Sequence, residues 1–93
     1  MADEIRHHDL CFGCGQANLF GLQLELERSE DGVEGRFFVK QDHQGPDGSA
    51  HPGVLAAALW EALSASAPPS GFTVSLLAPA SVGSFVLVRA SGT

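Results

Sequence analysis

The sequence predicts an α+β domain in which an antiparallel sheet wraps one long central helix. Three observations carry this prediction. "LQLELE" (22–27) sets Leu22, Leu24 and Leu26 against Gln23, Glu25 and Glu27, the alternation of a half-buried strand. From Pro52 to Ala67, Leu55, Ala58, Leu59, Ala62 and Ser66 fall on one stripe at a period of about 3.6 residues, so this segment is a helix with one apolar face. The order strand, strand, helix, strand, strand surrounds a single helix with runs of strands, which is an α+β layer arrangement. The helix must lie against the sheet to bury its stripe.

The elements follow in order. Residues 1–10 are a polar lead-in. "CFGCGQANLFG" (11–21) is rich in Gly and Asn and forms a loop. The strand at 22–27 ends in "RSEDG", where Asp31-Gly32 signals a hairpin turn. "VEGRFFVK" (33–40) returns, with Val33, Phe37 and Val39 on one face. "QDHQGPDGSAHP" (41–52) is a long loop punctuated by Gly and Pro. The helix spans 52–67. Pro52 suits its first turn, where a missing N–H costs nothing, and Pro68-Pro69 stop it. "FTVSLLAP" (72–79) reads as a third strand and "FVLVRA" (85–90) as a fourth. In the fourth, Val86 and Val88 lie on one face and Phe85, Leu87 and Arg89 on the other.

A chain of 93 residues is expected to form one domain, 1–93. At this size roughly 60–65% of the unfolded surface is buried, so the core is thin and oligomerisation helps. The net charge is −6 and the five basic residues (Arg6, Arg28, Arg36, Lys40, Arg89) are scattered. That disfavours a nucleic-acid partner, which needs clustered Lys and Arg. The opening "MADEIRHHD" is acidic with no apolar run, unlike a secretory signal. No segment approaches the roughly 18–20 apolar residues of a membrane span. A cytoplasmic location and no membrane partner are therefore expected.

Cys11 and Cys14 are too few for a disulfide framework. Their spacing suits a metal pair, and His7 and His8 are near in sequence. A structural zinc site takes four ligands, usually with a second close pair. The chain has no second Cys pair, so no metal and no cofactor are expected; a small zinc-binding interaction domain built on Cys11 and Cys14 is a third reading, behind those given below. "GxSxG" is absent, as is a Lys-bearing phosphate loop at a helix entry.

In order along the chain, "CFGCGQANLFGLQLEL", "VEGRF", "HQGPDGSAHPGVLAAALWEAL" and "VSLLAPASVGSFVLVRA" resemble the hotdog-fold acyl-CoA thioesterases of the PaaI-type group. The resemblance covers residues 11–90. It implies a hotdog fold and a homodimer or homotetramer, with an acyl-CoA thioester bound at the subunit interface. It places the thioester carbonyl oxygen at backbone N–H groups of the helix N-terminus, where free donors and the positive dipole end gather. A carboxylate nine residues after the helix-start His would activate water or attack the carbon.

On that resemblance the expected catalytic residues are Gly53, whose N–H polarises the carbonyl, and Glu61, the helix carboxylate nearest the required position. His43, Gln44, His51 and Trp60 are expected to shape the substrate pocket. Each also has a plainer reading. Gly53 is small enough for close packing, and His51 is a capping residue. His43 and Gln44 are solvated loop groups, Glu61 is a solvated charge, and Trp60 packs at a core or an interface. The chain departs from the family pattern at three places. Pro52 stands where a Gly would supply an N–H. Trp60 occupies the acid's position, with Glu61 about 100° further round the helix. The connection "SAPPSG" is short and the chain ends soon after its fourth strand. The expected function is hydrolysis of an acyl-CoA thioester at a dimer-interface site; the departures favour the alternative, a non-catalytic hotdog module that binds acyl or CoA groups or serves as a dimerisation scaffold.

Overall fold

The computed structural model describes residues 4–67 and 69–91. Strand β1 (Glu4–Ile5) is two residues long, and β2 (Glu25–Ser29), β3 (Gly32–Phe38) and β4 (Phe85–Ser91) are the main strands. Helix α1 (Pro52–Ser66) lies between β3 and β4 in the chain. The sheet is antiparallel throughout, in the order β1-β2-β3-β4. The fold is α+β, with one helix on a small antiparallel sheet. Among the described residues no helix is long and apolar enough to cross a membrane.

Alternation along the strands decides which face meets the helix. Val33 and Phe37 of β3 and Val88 and Ala90 of β4 are buried, whereas Glu34, Arg36, Phe38, Phe85, Leu87 and Arg89 are exposed. Helix α1 packs on β3 and β4 through Ala58 and Ala62, both fully buried and one turn apart. Two small side chains at that spacing let the helix axis come close to the sheet. Leu22, Leu24 and Leu26 are all buried, as their alternation predicts.

Several elements differ from expectation. Strand β2 starts at Glu25 rather than Leu22. The N–H groups of Leu22 and Leu24 donate to Phe12 O (2.8 Å) and Gly13 O (2.9 Å), so this stretch pairs with the cysteine loop instead. Gln23 adopts φ +50 between them and accepts a hydrogen bond from Lys40 Nζ at 2.6 Å.

The hairpin turn is Glu30-Asp31, one residue earlier than Asp31-Gly32, because Gly32 already pairs with Ser29 and Ser91. Gly32 has φ +156, and a Cβ there would run into Ala90 O, so β4 passes close only because this residue is glycine.

The expected strand at 72–79 is not formed. Strand β3 is already flanked by β2 and β4. The segment is instead held at its start by Phe72 against Trp60 and just after its end by Ala80, whose O accepts from Ala50 N–H at 2.8 Å. Pro79 also lacks a ladder donor. The helix ends at Ser66, with the Ala67 N–H closing on Leu63 O. Pro68, expected to stop it, lies outside the described residues.

Candidate functional site

The loop 11–15 is a tight turn closed by Gly15 N–H on Cys11 O at 2.8 Å. It is clamped to the core through Leu22 and Leu24. Cys14 is buried and Cys11 half-buried. From the opposite side, Glu61 of α1 reaches the loop and lies against Gly13. A Cβ at Gly13 would collide with the Glu61 side chain, so glycine is what admits the carboxylate.

Four potential ligands meet there. His7 Nδ1 lies 3.1 Å from Glu61 Oε2, 3.6 Å from Cys11 Sγ and 3.5 Å from Cys14 Sγ. Cys11 Sγ lies 3.8 Å from each Glu61 carboxylate oxygen. All four ligand atoms fall within 4.8 Å of one another. The Glu61 side chain is only 13% exposed. The backbone N–H of His7 donates to Cys14 Sγ at 3.2 Å. Cys11, Cys14 and His7 lie close in sequence, where the cysteine spacing suits a metal pair. The fourth group comes instead from α1, fifty residues along the chain.

The electrostatics of the four are linked. The Cys11 side chain holds His7 above its ordinary range; burial opposes this, and the Glu61 charge adds to it. Burial would raise the Cys11 thiol, but N–H donation from Cys14, with contributions from His7 and the Gly13 N–H, brings it below the usual value. Burial pushes Cys14 up to about 11.

Beside this cluster, between the cysteine loop and α1, is a largely apolar cleft of ≈370 Å³. Cys11, Phe12, Gly53, Trp60, Glu61 and Phe72 are among its walls. Trp60 is 37% exposed, and its ring lies 5.2 Å from that of Phe72 at 52°. A larger groove of ≈510 Å³ crosses the strands, lined in part by Arg6, Glu25, Glu27, Glu34 and Arg36. Its charges are of both signs, and Arg36 and Glu25 are already paired at 3.0 Å. The smaller cleft is the better candidate because it joins apolar walls to a few reactive groups.

Of the six residues expected at a site, Gly53, Trp60 and Glu61 line this cleft, whereas His43, Gln44 and His51 are not among its walls. His43 is neither a pocket residue nor solvated. It is buried, its Nδ1 accepts from Lys40 N–H at 3.1 Å, and its Nε2 faces Gly21 O at 3.2 Å. Gln44 ties its own loop, donating to Gln41 O at 3.0 Å and accepting from Gly48 N–H at 2.7 Å.

His51 is the N-cap of α1, as its plainer reading held, and its Nδ1 accepts the Gly53 N–H at 2.8 Å. The Val54 N–H bonds His51 O at 2.9 Å. The donors expected to meet a thioester oxygen are therefore engaged inside the cap. Comparison of the chain with protein-family profiles, curated proteins and solved structures returned no match.

Proposed function

We propose that the chain is a non-catalytic, hotdog-like module that takes the acyl part of an acyl thioester into the cleft between the cysteine loop and α1. The observation that carries this reading is the make-up of that cleft. Its walls are mostly apolar, and the Trp60 and Phe72 rings lie tilted against each other along one side. Three features turn the reading toward binding rather than hydrolysis. Trp60 occupies the position of the expected acid, and an indole is neither base nor nucleophile. Gly53 N–H is held by His51. The Glu61 carboxylate is engaged by His7.

Hydrolysis is the second reading. It is favoured by one observation, that Glu61 and Gly53 both lie on the wall of this cleft. In that reading Glu61 would leave His7 to activate water.

One experiment separates the two. The reduced chain is mixed with short, aromatic and long acyl-CoAs, binding is measured by calorimetry, and free CoA is quantified chromatographically. Saturable heat with acyl-CoA but not with CoA alone, and no free CoA above background, supports the binding module. Free CoA released by the wild type and not by Glu61→Ala supports hydrolysis. No binding and no release by folded protein removes both.

The expected self-association belongs to the same reading. Among the described residues β4 pairs only with β3, so its outer edge is open to a second copy.

A further inference from the structure

We propose that His7, Cys11, Cys14 and Glu61 bind one zinc ion that fastens the cysteine loop to helix α1. The first argument is hydrogen-bond arithmetic. His7 Nδ1 is within 3.1–3.6 Å of a carboxylate oxygen and two sulfurs. One ring nitrogen carries at most one proton, so it serves only one of the three. A single cation among them satisfies all four groups at once.

The second argument is distance. Zinc bonds of about 2.3 Å to sulfur and about 2.0–2.1 Å to nitrogen or oxygen, in a tetrahedron, separate sulfur from nitrogen or oxygen by about 3.5 Å and nitrogen from oxygen by about 3.3 Å. The protein places His7 Nδ1 at 3.6 and 3.5 Å from the two sulfurs and 3.1 Å from Glu61 Oε2. Cys11 Sγ stands 3.8 Å from the Glu61 oxygens. Each of these four pairs is within a few tenths of an ångström of a tetrahedral edge, and the other two pairs lie within 4.8 Å.

The third argument is ligand chemistry. Two thiols, an imidazole and a carboxylate suit zinc rather than magnesium or calcium, which take oxygen ligands. Two cysteines in the whole chain are too few for an iron–sulfur cluster of the four-thiolate kind. The backbone N–H groups of Cys14 and Gly13 support Cys11 Sγ as outer-shell donors. Four protein ligands close the coordination sphere, which makes the site structural. On binding, Cys11 and Cys14 give up their thiol protons to solvent, while His7 supplies a ring lone pair and Glu61 a carboxylate oxygen. The site stands whether or not the neighbouring cleft takes an acyl group.

The test uses the full chain, reduced and freed of metal by a chelator that is then removed, and titrated with Co²⁺ alone. One equivalent should give thiolate-to-cobalt charge-transfer absorption and d–d bands of tetrahedral intensity, both erased by Zn²⁺. Cys11→Ser, Cys14→Ser and Glu61→Gln should each weaken binding by roughly 10–100-fold or more, since losing even an outer-shell partner has that effect. His8→Ala should bind like the wild type, because His8 Nδ1 accepts only the local Leu10 N–H at 3.3 Å among its described contacts. Absence of these bands in reduced protein that is folded by circular dichroism overturns the proposal, as do bands indifferent to both serine substitutions. If the serine variants do not fold, thiol labelling of the wild type decides. Zn²⁺ should protect both cysteines, and unprotected thiols overturn the site.

Discussion

At the residue scale, what a side chain does here is set by the groups it touches. His43 is the clearest case. As a loop histidine between Gly and Pro punctuation it reads as a pocket or solvent group, yet it is buried with both ring nitrogens used and its ring edge-on to Phe37 at 6.3 Å. Lys40 N–H is local, three residues back in the same turn, but Gly21 O comes from a loop whose meeting with His43 no local pattern encodes. His43→Ala leaves those two backbone groups without their ring partner. Gly21 O keeps Lys40 Nζ at 3.4 Å, so a loss of about 1–3 kcal/mol in all follows, measured by denaturant unfolding. A loss below a few tenths of a kcal/mol would return His43 to the solvated reading. His51 is the opposite case, since its capping role is local and was legible. Glu61 lies between the two. Its distance in sequence from Cys11 hid a fourth ligand that only folding supplies, while Gly13 was a signal available in retrospect, being the residue that admits the carboxylate.

At the element scale, periodicity gave reliable faces and less reliable ends. Leu22, Leu24 and Leu26 are buried as their alternation requires, although the first two lie before β2 and answer to the cysteine loop. That double duty makes Leu24 a joint between core and site. Leu24→Ala should cost about 2–5 kcal/mol, a large share of the roughly 5–15 kcal/mol of a small domain. Chemical denaturation reads it, and a change under 1 kcal/mol would mean that this joint is loose. The segment 72–79 has strand composition and forms no strand. Composition states a preference for a pleated, half-buried surface, yet this segment pairs neither with β3, already flanked by β2 and β4, nor with the outer edge of β4. Phe72 lies tilted against Trp60 instead, so the segment contributes a wall to the cleft.

At the scale of the whole molecule, the helix, the cysteine loop and Phe72 line one cleft, and the ligand cluster beside it shares Cys11 and Glu61 with it. The α+β class was legible because it follows from the order of periodic segments. The juxtaposition of loop and helix was not, because it depends on tertiary packing. Zinc at a hundred times its dissociation constant should stabilise the fold by about 2.7 kcal/mol. For a domain of this size that raises Tm by roughly 10–20 °C, and excess chelator should reverse it. An unmoved Tm would contradict a structural metal. Self-association through the open β4 edge predicts a mass of two or four chains by sedimentation equilibrium at micromolar concentration. A monomer there would leave the cleft to work within one chain.

The most direct measurement of the central claim uses Trp60, the single tryptophan of the chain and a wall of the cleft. Its emission is followed while a non-hydrolysable thioether analogue of an acyl-CoA is added, with CoA alone as the reference. An acyl group entering beside the indole should give a saturable shift or quench that CoA does not give and that Phe72→Ala weakens. Emission that stays unchanged through saturating concentrations of every chain length would contradict acyl binding in this cleft.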